Sequence, residues 1–185
     1  MIYAFLATGF EDIEALAPVD IMRRAGLNVE TVSITENRVV TSAHGVGMVA
    51  DRLLSEIDFG NADLLFLPGG LPGATNLDAC TELREGLLAH FKAGKLIAAI
   101  CAAPLVLGHL GILEGKRSTC YPGFETELHG AIYTKALVEQ DGQIITGKGP
   151  GAAFELGYIL VERLVNSEVA AQLREGMMYN FLLHG

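Results

Sequence analysis

Short apolar runs alternate along this chain with amphipathic segments of helix length, and that alternation restricts the fold more than any other feature. "IYAFLA" (2–7) reads as a buried strand, and "EDIEALAPVDIMRRAG" (11–26) as a helix ending at Gly26. "LNVETVSI" (27–34) is the next strand, and "RVVTSAHGVGMVAD" (38–51) a hairpin-like pair of short strands turning at His44-Gly45. "ADLLFLPGG" (62–70) is a buried strand running into a glycine loop. "CTELREGLLAHFKAG" (80–94) carries apolar residues at helical spacing, "KLIAAI" (95–100) is a central strand, and a helix starts near Ala103. "RSTCY" (117–121), "AIYTKALVEQ" (131–140) and "QIITG" (143–147) read as strands, before two helices over 151–165 and 167–177. Such alternation needs right-handed crossovers, so the expectation is α/β with a mostly parallel sheet covered on both faces.

In open sheets of this type ligands sit beyond the carboxyl ends of the strands. The loops "ATGFE", "LPGGLPG", "ICAAP" and "YPGFE" each follow a strand and can converge on one edge. A chain of 185 residues fits one domain, spanning 1–185, with one sizeable core. Half the residues are hydrophobic and 19% are charged, which excludes disorder, and the net charge of −9 argues against nucleic-acid and anionic-membrane partners. Residues 96–113 imitate a membrane span, with His109 the one strongly polar residue. Pro104, Gly108 and Gly111 punctuate the run, so a buried strand followed by a buried helix explains it better. "MIYAFLATGFED" lacks the basic region of a signal peptide. Cys80, Cys101 and Cys120 are an odd count at spacings of 21 and 19, neither a disulfide framework nor a zinc-site pattern. The expectation is a cytoplasmic chain with reduced thiols.

Cys101 lies between a strand and a helix, in the strand–nucleophile–helix elbow familiar from G-x-S-x-G enzymes. Ala99, Ala102 and Ala103 are small enough for a tight turn, and Pro104 suits a first helical turn. A thiol at a helix N-terminus is expected to be stabilised as thiolate by the dipole and the free N–H groups. Read alone, Cys101 is equally well a small buried hydrophobe. Gly69 and Gly70 in "LPGGLPG" allow close backbone approach to a ligand, with N–H groups able to hold an oxyanion, though a plain glycine turn has the same sequence. Glu14 shares a largely apolar helix stripe with Pro18, Ile21 and Ala25, unlike Glu11 and Asp12, so desolvation is expected to raise its pKa. A surface acid near a helix start is the other reading. "GKGPGAAFELG" (147–157) is not a P-loop, since no Gly-Lys-Ser/Thr precedes the helix. The five histidines form no cluster at metal-ligand spacing, and position 102 is alanine rather than an imidazole partner for Cys101. His44 and His129 sit in loops and could approach the sheet edge, while His90 and His109 belong to helices. No metal and no cofactor is implied.

Together "GFEDIEALAPVDIMRRAG", "LLFLPGGLPGATNL", "LIAAICAAP" and "GKGPGAAFELGYILVERL" resemble the ThiJ/PfpI superfamily, in order and over almost the whole chain. Within it they look like the branch of the parkinsonism-associated protein deglycase and its bacterial relatives. The resemblance implies a flavodoxin-like three-layer αβα sandwich and a homodimer with the first helix at the interface. It implies that Cys101 is the reactive residue, that Glu14 is a protonated partner bonded to its sulfur, and that the Gly70 and Ala102 amides form an oxyanion or sulfinate pocket. The activities it implies are glyoxalase or deglycase chemistry on methylglyoxal-type dicarbonyls or their adducts, or a non-enzymatic redox sensor or chaperone working through Cys101 oxidation. Tyr121 stands where glyoxalase-active members carry a histidine, and His44 where several relatives have an arginine. The histidine that follows the cysteine in PfpI-type peptidases is replaced by Ala102, which argues against peptidase activity.

Overall fold

The structure is a computed structural model and describes residues 1–184. Strand β1 (Ile2–Leu6) is buried at all five positions and lies inside a seven-stranded sheet. Around it run β2 (Val29–Ser33) and the two-residue β5 (Arg52–Leu53) on one side. On the other lie β6 (Leu64–Leu67), β7 (Leu96–Ile100), β11 (Ile144–Gly147) and β10 (Val138–Asp141), giving the order β10-β11-β7-β6-β1-β2-β5. Every neighbouring pair is parallel except β10 with β11 at one edge. The continuous apolar sequences of β6 and β7 follow from this placement, because an inner parallel strand is covered on both faces.

The helices fall into two sets. Helix α1 (Asp12–Arg24) packs on α5 (Ala153–Leu164), which packs on α6 (Ser167–Gly176). Helix α2 (Gly73–Ala79) touches both α3 (Thr81–Lys92) and α4 (Pro104–His109), and a last helix, α7, spans Asn180–His184. The two sets cover opposite faces of the sheet, which makes the three-layer, flavodoxin-like α/β sandwich. Helix α1 buries Glu14, Ala15, Pro18, Val19, Ile21 and Met22 and ends where Gly26 takes a positive φ of 79°. Gly157 lets α5 close on it: a Cβ there would stand 3.1 Å from the Pro18 Cα. Among the described residues no helix is long and apolar enough to cross a membrane.

The expected hairpin is present as β3 (Val39–Thr41) antiparallel to β4 (Gly47–Val49). Two expectations need correction. "RSTCY" contributes only β8 (Arg117–Ser118), which pairs with β9 (Ile132–Tyr133) in a small separate sheet. The single strand expected over 131–140 is two strands, β9 and β10, because Lys135 adopts a left-handed φ of 61° that ends the first. Between the glycine loop and the helix at 80–94 lies α2, a stretch to which the sequence assigned no element.

Candidate functional site

The loops after β1, β6, β7 and β8 meet at one end of the sheet, and their backbones are stitched together there. Phe10 and Glu11 follow β1; the Glu11 N–H donates to the Gly69 carbonyl at 2.9 Å. Cys101 follows β7; its N–H donates to the Gly147 carbonyl at 2.9 Å, and its own carbonyl accepts from the Tyr121 N–H at 2.8 Å. Cys101 has φ 65°, a left-handed conformation that costs a residue with a Cβ about 1–2 kcal/mol. That is the elbow expected from the sequence, with Pro104 at the first turn of α4. The side chain is 8% exposed.

Glu14 enters from α1 and is fully buried. Its Oε2 accepts the Gly69 N–H at 3.0 Å, and its Oε1 has no hydrogen-bond partner. Gly69 is the meeting point. A Cβ there would stand 2.5 Å from Glu14 Oε2, 2.6 Å from the Cys101 Cβ and 2.7 Å from the Ile100 carbonyl oxygen, so only glycine leaves room for both side chains. Gly70 turns the loop with φ 90°. Among the described residues neither the Gly70 nor the Ala102 N–H has an oxygen acceptor; both face the Cys101 sulfur, where they can bind an anionic oxygen.

The electrostatics run as expected for Glu14 and against expectation for Cys101. Burial raises the Glu14 carboxyl from 4.5 to about 7; contact with Cys101 pulls it down, the Glu11 charge pushes it up, and the Gly69 N–H pulls it down. Burial and the Glu14 carboxylate push the Cys101 thiol up from 9.0 to about 12, outweighing the Gly70 and Ala102 amides that favour the thiolate. Helix α4 is only six residues long, and its N-terminal field does not overcome that burial. Burial and the neighbouring carboxylate thus both favour the thiol form of this sulfur.

Two expected neighbours stand further out. Tyr121 holds the elbow through its backbone, while its half-exposed ring lies over Gly149 in a shallow depression shared with Pro122 and Lys148. His44 is exposed on the β3–β4 turn, where its Nδ1 pairs with Asp12 Oδ2 at 2.8 Å. Sequence reasoning passed over Glu11. It is buried, and its carboxylate caps α1 by accepting the Glu14 N–H at 2.7 Å, so it orients the residue that faces the sulfur. Its position just before the helix was the available signal, although glutamate is not a favoured N-cap. Cys120 is fully buried and Tyr121 is exposed, but both lie beyond the end of β8, so strand alternation is not what separates them.

Residues 1–163 match the family model described as DJ-1/PfpI family. The chain belongs to the DJ-1/PfpI family. This DJ-1/PfpI chain is 44% identical to "Protein DJ-1 homolog B" of Arabidopsis thaliana over 91% of its own length, and spans 39% of that plant protein. It is 35% identical to the "Glutathione-independent glyoxalase DJR-1.2" of Caenorhabditis elegans, covering 85% of this chain and 84% of that one. A solved cysteine-to-alanine mutant of a DJ-1 superfamily protein from Salmonella typhimurium superposes with a TM-score of 0.92 at 37% identity, covering 96% of this chain and 97% of that one.

Proposed function

We propose that this chain is a cysteine-dependent enzyme acting on small α-dicarbonyls such as methylglyoxal, or on their adducts, with Cys101 as nucleophile and Glu14 as proton carrier. One observation carries the reading: a carboxyl with no solvent exposure and an unpartnered oxygen sits against the elbow thiol, with its pKa raised to about 7. A general acid–base works best near the operating pH. The similarity to a nematode protein named as a glyoxalase supports the substrate class.

In the first step the thiol proton passes to the Glu14 carboxylate as sulfur attacks the aldehyde carbon. The C=O π electrons move onto oxygen, which the Gly70 and Ala102 N–H groups hold. Glu14 returns its proton and leaves a hemithioacetal. Glu14 takes the aldehyde carbon's hydrogen as a proton while the ketone oxygen gains one, giving an enediol. Return of the proton to the former ketone carbon, with loss of the other hydroxyl's proton, gives a lactoyl thioester. Water then cleaves the thioester to lactate and the thiol, so the sum is methylglyoxal plus water to lactate. This reading takes a homodimer through the first helix, where Ile13 and Leu16 stand exposed.

The test is lactate formation from methylglyoxal by the reduced protein. Cys101→Ala abolishes turnover, and Glu14→Gln lowers it by about 10²-fold or more. Unchanged turnover in Cys101→Ala refutes the mechanism. The redox-sensor reading is favoured by the Gly70 and Ala102 amides beside the sulfur, which could also hold sulfinate oxygens. It is opposed by the upward push of burial on the Cys101 thiol, since the thiolate is the form that oxidises. A mass gain of two oxygens at Cys101 under mild peroxide, in protein with no dicarbonyl turnover, would decide for it.

A further inference from the structure

At the far end of α4 from Cys101 the chain assembles a second group of polar side chains that the proposed chemistry does not use. Gly108 is the penultimate residue of α4, and the backbone of residues 127–129 lies directly against it. A Cβ on Gly108 would stand 2.9 Å from both the His129 N and the Leu128 Cα and would collide with the Glu127 carbonyl. Leu128 is buried in the core, so Glu127 and His129 on either side of it are held beside the end of the helix. There they meet His109. The His109 and His129 rings lie 5.0 Å apart, and His109 Nε2 is 2.9 Å from Glu127 Oε2. One donor atom from each of His109, Glu127 and His129 lies within 4.8 Å of the other two.

We propose that His109, Glu127 and His129 form a binding site for a divalent transition-metal ion, with zinc as the best match. Two imidazoles and one carboxylate are the donor set of open, four-coordinate zinc sites, with water in the fourth position. With bonds near 2.0–2.1 Å, tetrahedral ligand atoms stand about 3.4 Å apart, so closure from the present arrangement takes about an ångström of movement. His129 is exposed and free to supply it.

The surroundings match how a ligating histidine is held. His109 Nδ1–H donates to Asp78 Oδ2 at 2.8 Å, which leaves Nε2 turned towards Glu127 and His129. A carboxylate behind the far ring nitrogen fixes the tautomer and orientation of a metal-bound imidazole. Arg84 pairs with the same Asp78 and holds it in place. Without metal, burial works against the imidazolium, but Asp78 and Glu127 outweigh it and raise the His109 pKa. With metal on Nε2, the Nδ1–H bond to Asp78 remains available to hold the ring. Glu114 lies against Gly130, the residue after His129 in the chain. The site joins α4 to the 3₁₀ turn at Glu125–Glu127, where no local sequence motif would reveal it.

Titration of the reduced protein with Co²⁺ and then Zn²⁺ tests the proposal. The expected result is one Co²⁺ per chain with visible ligand-field bands and no sulfur-to-cobalt charge-transfer band, displaced by Zn²⁺ and accompanied by a higher Tm. His129→Gln, at an exposed position that folding does not depend on, and Glu127→Gln lose the bands. Asp78→Asn weakens binding by about 10–100-fold. Cys101→Ala and His44→Ala keep it; the latter removes the other such cluster among the described residues, at Glu11, Asp12 and His44. Wild-type affinity in His129→Gln, loss of the bands in Cys101→Ala, or no stoichiometric binding in excess metal would each overturn the proposal.

Discussion

Replacing Glu14 by glutamine keeps the size of the side chain and an oxygen for the Gly69 N–H, but removes a titrating group from the centre of the site. The folded carboxyl titrates at about 7 against 4.5 for an ordinary glutamate, so ionising it inside the fold costs about 3 kcal/mol. Because the folded value is raised, the stability that comes with the neutral carboxyl is whole below pH 4.5 and is lost as the pH rises through 7. Glutamine stays neutral throughout. The stability of the wild type relative to Glu14→Gln should therefore fall by about 3 kcal/mol between pH 4.5 and 8.5, or roughly 6–12 °C in Tm. Urea denaturation of both proteins at several pH values, with equal m-values as a control, measures the difference directly. A constant offset between the two curves reflects the glutamine NH₂ finding or missing a partner, and carries no information about the carboxyl. The slope of the difference does. The Cys101 thiol, raised to about 12, does not titrate in that window. A difference that stays flat across the range, or grows with pH, would refute the raised pKa of the buried Glu14 carboxyl.

Two other substitutions probe the same convergence. Gly69→Ala forces a Cβ against Glu14 Oε2 and the Cys101 Cβ, and is expected to cost about 1–3 kcal/mol in urea denaturation and to remove dicarbonyl turnover; a stable, active variant would show that the loop yields. Cys101→Gly should be more stable than Cys101→Ala by about 1 kcal/mol, because glycine accepts the φ of 65° that alanine does not; the reverse order in thermal melts would mean that the elbow stores no strain.

Much of this arrangement was legible in the chain, for physical reasons that differ from residue to residue. The parallel sheet follows from apolar runs such as those of β6 and β7, which make sense only when covered on both faces. Glu14 was legible because helical spacing puts it on the stripe of Pro18 and Ile21. Gly69 and Gly70 announced a close approach, but what approaches is set by tertiary convergence, since Glu14 lies 55 residues away in sequence. The protonation state of Cys101 was misjudged because a dipole argument reads only the following helix, whereas burial and a carboxylate from another element decide the balance. Helix α2 was hidden because its N-cap position is Pro72, which offers no side-chain cap, and its first residue is a glycine. The break between β9 and β10 falls at Lys135, a residue type that gives no hint of a left-handed backbone.

The confinement of Cys101 also bears on chemoselectivity. Burial and the Glu14 carboxylate push the Cys101 thiol up, away from the thiolate that alkylating and oxidising reagents need. An electrophile seated with its oxygen on the Gly70 and Ala102 amides needs no standing thiolate, since the proton leaves for Glu14 as the new bond forms. The same burial that silences the thiol toward chance encounters thus reserves it for molecules that fit.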